Sequence, residues 1–302
     1  MKNKVSLIYN PVAGQGLFKY KLDYVIEQFQ KSGLQVIPWR IKRNKEIIQY
    51  LKGIDPDDYH TIIAAGGDGT IHEVINGLMK TELKVPLGIF PEGTSNDIAT
   101  FLGISEDVNK YCQAVIEGGT LSIDLGMAND KYFVNVASAG FLTETAHEVD
   151  HHMKNALGKA AYYLKGIEEI PKIKPIELHL NVDGVAYDLE VLLFLILNGG
   201  NVGGFKGILP YEKIVDGKLN FLAIKPVPVY KLPPLLFKLG RGQLLKDENV
   251  INFEGEKFLI EVSPDIPTDL DGEKGPELPW KASIIPQALQ VRTINYFHSS
   301  YQ

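Results

Sequence analysis

The sequence predicts two domains of different class: an open, largely parallel α/β domain over residues 1–125, then a mostly β, sandwich-like domain over 126–302. Three observations predict it. Up to about residue 125, short β-branched runs alternate with segments of helical periodicity, the pattern of βαβ units. Beyond Asp124 apolar runs follow one another with strand-like texture, and Asp183-Gly184 falls between two of them as a tight hairpin requires. The 302 residues suffice for two cores at roughly 150 residues per domain.

Each element has its own signal. Val5 to Tyr9 reads as a first strand, and Leu22, Val25, Ile26 and Phe29 recur at i, i+3, i+4, i+7 as one apolar helical face. The unit repeats as Thr61 to Ala65 with a helix carrying Ile71, Val74, Ile75 and Leu78, and again as Leu87 to Phe90 with Ile98 to Leu102. Three loops therefore gather at the carboxyl ends of strands, where open α/β sheets bind ligands. In the second half Lys131 to Ala137, Ile176 to Val182, Val185 to Leu197, Leu219 to Ile224, Val250 to Phe253 and Phe258 to Val262 read as strands. A helix is expected from about Asn155 to Glu169, and the last apolar segment, Ile284 to Ile294, fits a return to either domain.

Composition narrows the function classes. Apolar residues make up 45% and charged residues 23%, as in ordinary folded chains, so neither disorder nor a fibrous repeat fits. The net charge of -6 and pI of about 5.7 argue against nucleic acid as a partner. Cys112 stands alone, so no internal disulfide forms, and the short apolar stretch before Asn10 and Pro11 is no export signal; a cytoplasmic location is expected. Val191 to Leu197 is far below the roughly 20 residues that span a bilayer, so membrane contact is expected to be peripheral.

The stretch Ala65-Gly66-Gly67-Asp68-Gly69-Thr70 lies between an apolar strand and an amphipathic helix. Glycines let backbone N–H groups approach phosphate oxygens with no Cβ in the way, and the following helix points its positive end at the anion. Asp68 inside such a cradle would repel a bare polyphosphate, so its presence points to Mg²⁺ held against that phosphate. Asn10-Pro11-Val12-Ala13-Gly14-Gln15-Gly16 and Pro91-Glu92-Gly93-Thr94-Ser95-Asn96-Asp97 occupy the same topological place. Thr94 and Asn96 can hydrogen-bond phosphate or ribose, and Asp97 supplies a second carboxylate for the metal; Asn96 or Asp97 capping the helix from Ile98 is the competing use.

These motifs carry a resemblance. Asn10 to Gly14, Gly66 to Thr70 continuing through His72-Glu73-Val74-Ile75-Asn76-Gly77, and Pro91 to Asp97 are joined in order by several more. They are Ile123-Asp124-Leu125-Gly126, Tyr132-Phe133-Val134-Asn135, Tyr162-Tyr163-Leu164-Lys165-Gly166, Asp216-Gly217 and Leu270-Asp271-Gly272-Glu273. Nearly end to end the chain resembles the soluble bacterial diacylglycerol kinases, within the lipid kinases that include sphingosine and ceramide kinases. The resemblance implies an ATP-binding domain of NAD-kinase and phosphofructokinase type facing the β domain, with a membrane-derived lipid as acceptor and the inner face of the membrane as workplace. It implies that Asn10, Pro11, Val12, Ala13, Gly14, Gly66, Gly67, Asp68, Gly69, Thr70, Ile71, His72 and Thr94 line ATP, with Asp68 and Asp97 serving the nucleotide Mg²⁺. It implies Glu273 as general base, and a second, structural Mg²⁺ at Asp216 with Lys213 and Lys218. Asp271 competes for the base role, and Asp-Gly pairs are also plain turns.

The chain departs from the family's pattern at Gln15 and Tyr20, where relatives often carry basic residues, at Ile41 in place of a nucleotide-contacting Thr, and at Pro210-Tyr211-Glu212. Lys165 is kept. Other functions stay open at this stage: another lipid alcohol or NAD as acceptor, a non-catalytic nucleotide or lipid sensor, or a zinc peptidase. The last would use His147-Glu148-Val149-Asp150-His151, which matches H-E-x-x-H but sits in a charged segment without an evident third ligand. Leu232, Leu235, Leu236 and Leu239 with Lys231, Lys238 and Arg241 offer a face for anionic lipid, although a leucine face with lysines opposite is more often a helix packed on its own domain. Oligomeric state, a homodimer included, is beyond the sequence.

Overall fold

The computed structural model of the chain describes residues 2–42, 46–140, 175–201, 207–239, 243–264 and 266–294. It divides into two compact units, Met1–Ile123 with Gln287–Gln302, and Asp124–Pro286. The first unit runs β1 (Lys4–Tyr9), α1 (Phe18–Lys31), β2 (Gln35–Arg40), α2 (Glu46–Leu51), β3 (Tyr59–Gly66), α3 (Asp68–Lys80), β4 (Leu87–Pro91), α4 (Asp97–Phe101) and α5 (Val108–Ile116). Its strands lie in the order β2-β1-β3-β4, all parallel. Phe18, Val25 and Phe29 of α1 and Tyr111, Cys112 and Val115 of α5 close over Val5, Leu7, Ile63, Ala65 and Phe90, each burial of a large side chain contributing about 1.5–3 kcal/mol. The edge strand β2 has no strong sequence signal because none of it is fully buried and it contains Pro38, which an edge tolerates.

The last strand, β16 (Trp280–Thr293), returns to this unit at its far end, where Val291 pairs in parallel with Leu87. Arg292 anchors that end. Its Nε donates to Thr61 Oγ1 at 3.1 Å and its Nη1 to the Gly118 carbonyl at 3.2 Å, while Nη2 lies 3.0 Å from His60 Nε2. Burial and the neighbouring guanidinium hold the His60 imidazole below its ordinary pKa. The unfolded chain therefore takes up this proton at a higher pH than the folded chain, and stability is lost as pH falls through about 6.5. We expect the melting temperature of the wild type to drop between pH 7.5 and 5.5, and His60→Gln to show a shallower acid slope; parallel slopes would remove His60 as the cause.

β5 (Gly119–Ala128) begins in the first unit and in the second pairs with β6 (Lys131–Phe133), followed by β7 (Val136–Gly140), β8 (Ile176–Val182), β9 (Val185–Val191) and β10 (Leu193–Leu197). Then come β11 (Leu219–Ile224), α6 (Leu232–Leu239), β12 (Val250–Gly255), β13 (Lys257–Ser263), β14 (Thr268–Leu270), β15 (Glu273–Lys274) and the start of β16. Two antiparallel layers, β16-β13-β8-β9 and β12-β11-β10-β7-β14-β15, enclose a core of Leu178, Leu180, Phe194, Phe221, Phe258 and Trp280, a β sandwich. Asp183 and Gly184 both have positive φ (49° and 94°), so the β8–β9 connection is the tight hairpin that Asp-Gly predicts.

Two apolar runs that read as single strands are divided. Val185 to Leu197 becomes β9 and β10 in different sheets, with Leu192 between them donating to the Ile224 carbonyl at 2.8 Å. β10 reads as continuous apolar sequence because both its faces are interior. Phe194 and Ile196 enter the sandwich, and Leu193, Leu195 and Leu197 enter a second layer closed by Leu232 and Leu235 of α6. The leucines at 232 and 235 are thus interior, and Lys238 lies 2.5 Å from Asp247, whose carboxyl the lysine and the Asn249 N–H hold at about 2. α6 packs on its own unit at these positions; Arg241 lies outside the described residues, as do the segment 155–169 and the H-E-x-x-H motif at 147–151. Lys131 to Ala137 is likewise interrupted at Val134 and Asn135. Among the described residues no helix is long and apolar enough to cross a membrane.

Candidate active site

In the first unit the three predicted loops meet at the carboxyl edge of β1, β3 and β4 and are joined backbone to backbone. The Asn10 N–H donates to Ala65 O at 2.9 Å, and the Glu92 N–H to Gly66 O at 2.9 Å. The loops approach so closely that glycine is required at the contacts. A Cβ on Gly93 would lie 2.5 Å from the Gly67 Cα, and one on Gly14, already at φ 54°, would lie 2.5 Å from the Glu92 carbonyl oxygen. Gly66 has Thr70 packed where its side chain would be, at 2.5 Å.

The first loop is shaped by Asn10, whose Oδ1 accepts the Val12 N–H at 3.1 Å and whose Nδ2 donates to Thr70 Oγ1 at 3.3 Å. Val12 stands 75% exposed between Pro11 and Ala13, leaving the loop's surface open beside the cradle. α3 begins at Asp68 with Gly67 at its N-cap, so its positive end opens on this edge. Gly69 and Ile71 belong to its first turns, and His72 is buried with its ring against Asn76, 3.3 Å between nitrogens.

The carboxylates Asp68 and Asp97 stand at the first turns of α3 and α4. Asp68 Oδ1 accepts the Ile98 N–H at 3.1 Å, so an aspartate from the second loop caps the helix that follows the third. The competing use, Asn96 capping α4, holds for its position but not for its side chain. Asn96 does sit at the N-cap, at φ 51°, yet its side chain makes no cap bond. Its Oδ1 accepts the Gly93 N–H at 2.8 Å, and its Nδ2 donates to the Gly93 carbonyl and to Glu106 at 3.0 Å. The asparagine holds the third loop in shape, while Thr94 is the exposed hydroxyl at its tip.

Sequence reasoning missed Glu92. Its carboxylate is buried, receives the Lys21 ammonium at 2.7 and 2.9 Å, and accepts the Tyr111 hydroxyl at 3.0 Å. An acid in a loop shaped for phosphate is the signal that could have found it, because such a charge demands a partner.

In the second unit Asp271 and Glu273, two residues apart, are in different situations. Asp271 accepts the Val134 N–H at 2.7 Å, the Asn135 N–H at 2.8 Å and the Val136 N–H at 2.9 Å. Its carboxylate spans the break between β6 and β7. With Gly272 it also forms the positive-φ turn (53° and 91°) between β14 and β15. Glu273 follows that turn, half-buried on β15, opposite Leu270.

Asp216 has its Oδ2 2.9 Å from Lys213 Nζ and its Oδ1 on the Lys218 N–H at 3.0 Å; Lys213 also pairs with Glu254. These two carboxylates outweigh burial and raise the Lys213 pKa. Asp124, buried, accepts the Gly217 N–H at 2.7 Å and ties the Asp216-Gly217 turn to β5. Its signal was only its place in the Ile123 to Gly126 motif. Among the described residues no group of three or more His, Cys, Asp or Glu side chains could by itself hold a metal. Lys165 lies outside them.

Comparison with known proteins places this geometry in context. Residues 4–128 match the model of the diacylglycerol kinase catalytic domain, and residues 135–293 that of the YegS C-terminal NAD kinase beta sandwich-like domain. The diacylglycerol kinase of Bacillus subtilis (strain 168) is 35% identical over 91% of both chains. That of Staphylococcus carnosus (strain TM300) is 30% identical over 97% of this chain and 96% of its own. A crystal structure of a diacylglycerol kinase from Bacillus anthracis str. Sterne superposes with a TM-score of 0.80 at 25% identity, covering 97% of this chain and 98% of that one.

Proposed function

The chain belongs to the diacylglycerol kinase family, and on that footing we propose that it is a lipid kinase that transfers the γ-phosphoryl group of ATP to the hydroxyl of diacylglycerol, giving phosphatidic acid. The observation that carries the reading is the meeting of three glycine loops at contacts too close for a Cβ. Such a surface presents backbone amides to phosphate oxygens, as phosphoryl transfer by positioning and electrostatics requires. Thr94 and the loop amides would hold the phosphates, with Asn10 and Asn96 keeping the loops in register.

Asp68 and Asp97 offer the hard oxygen ligands that Mg²⁺ takes, and with no third carboxylate grouped there among the described residues the remaining positions suit phosphate oxygens and water. Bound there, the ion would neutralise charge on the transferring phosphate. At Asp216 the carboxylate is shared with Lys213, so a structural Mg²⁺ would have to draw on it in competition with that lysine. Glu273 is assigned the acceptor's proton: as the lipid oxygen bonds to the γ-phosphorus and the bond to the ADP oxygen breaks, the hydroxyl proton passes to its carboxylate. The acceptor is a bilayer lipid, so the enzyme works in peripheral contact with the inner face of the membrane.

The test is transfer of radiolabel from [γ-³²P]ATP in the presence of Mg²⁺ to a panel of diacylglycerol, sphingoid base, other lipid alcohols and NAD. Label in phosphatidic acid, abolished by chelation of the metal, is the expected result. Label only in NAD, or binding of ATP with no lipid labelled, would overturn it.

A further inference from the structure

Glu92 reaches all three loops of the cradle. Its N–H bonds to Gly66 of the second loop, its carbonyl lies beneath Gly14 of the first, and it directly precedes Gly93 of its own. Its side chain turns away from the loops into the unit, 8% exposed, and meets Lys21 of α1 and Tyr111 of α5. The Tyr111 ring in turn stacks on Phe90 of β4 at 3.9 Å, and its hydroxyl pKa is raised by burial and by the Glu92 charge, so it stays a donor. Lys21 contributes both hydrogen bonds that neutralise the carboxylate, and it is one-third exposed at the helix that follows the first loop.

A negative charge under a phosphate-binding surface opposes the ligand unless it is cancelled, and a buried carboxylate stripped of its cation is strongly unfavourable. We infer that Lys21 and Glu92 form a charge-compensating clamp beneath the three loops, in which Lys21 cancels the Glu92 charge and so sets nucleotide affinity. The inference rests on the kinase reading above. Both are positioning residues, acting on the nucleotide through the loops. The Lys21 cation is spent on a loop carboxylate.

The test is the affinity for Mg·ATP by titration calorimetry, with KM and kcat, for Lys21→Met, Lys21→Arg, Glu92→Gln and the double variant Lys21→Met with Glu92→Gln. Lys21→Met leaves a bare carboxylate and is expected to raise both Kd and KM for ATP about tenfold or more, with kcat within about threefold. Glu92→Gln, which keeps the shape, and Lys21→Arg, which keeps the charge, are expected to change Kd by less than about threefold. The double variant, neutral at both positions, is expected to recover to within about threefold of Glu92→Gln. If Lys21→Met does not fold while the double variant does, that recovery of folding is itself the expected mark of an uncancelled Glu92 charge. An unchanged Kd in Lys21→Met, or a double variant much weaker than Glu92→Gln, would overturn the clamp. Failure of the wild type to bind Mg·ATP would instead remove the kinase reading and the clamp with it.

Discussion

Glu273→Gln is expected to lower the rate of lipid phosphorylation by roughly 10²–10⁴ while the affinity for Mg·ATP and the melting temperature stay near their wild-type values. The substitution keeps the side chain's size and removes its ability to take a proton. It should be structurally quiet because Glu273 is only half-buried, at the start of a two-residue strand. The contrast is Asp271→Asn. There the carboxylate accepts three backbone N–H groups, and an amide can satisfy them only in part, so a loss of about 2–4 kcal/mol is expected and folding suffers first. Steady-state kinetics and thermal melts on the two variants separate the roles. A Glu273→Gln protein with normal turnover beside a folded but inactive Asp271→Asn protein would move the base to Asp271.

That contrast also marks where the sequence stops being readable. Both acids sit in one Asp-Gly turn signal, and spacing gives no hint that one carboxylate is consumed by amides of residues 134–136. What was legible is what local physics determines. The helical periods of α1 and α3, the positive-φ turn at Asp183-Gly184 and the glycine loops each follow from a few neighbouring residues. What was not legible depends on partners far along the chain. Val185 to Leu197 alternates up to Glu190 and is wholly apolar from Val191, and only the layers above and below β10 decide that Leu192 is a crossing point. Lys21 and Glu92 are 71 positions apart, and Asp68 caps a helix 30 positions on; no periodicity links either pair. The Arg292 anchor to Thr61 and Gly118, which gives β16 its place beside β4, is hidden for the same reason.

Gly93→Ala is the second large effect, and it tests the cradle without touching any charge. Gly93 has no special backbone angle, so the argument is steric alone. The new methyl carbon would meet the Gly67 Cα at 2.5 Å and Asn96 Oδ1 at 2.8 Å, where non-bonded carbon atoms sit at about 3.5–4.0 Å. The third loop must therefore move off the second by roughly 1 Å, a displacement that can cost on the order of 10² in rate when it falls between the groups that orient a substrate. The expected loss of stability is only about 1–3 kcal/mol, a few degrees in melting temperature, because the clash is local and near the surface edge of the sheet. Gly119→Ala is the control: nothing lies within 4 Å of its added Cβ, so both activity and stability should stay near wild type. kcat/KM for ATP falling about a hundredfold in a Gly93→Ala protein that still melts cooperatively would place nucleotide binding where these loops touch. Normal Mg·ATP affinity in that variant would mean that the close approach of Gly67 and Gly93 serves packing alone, and the phosphate site would have to be sought elsewhere in the unit.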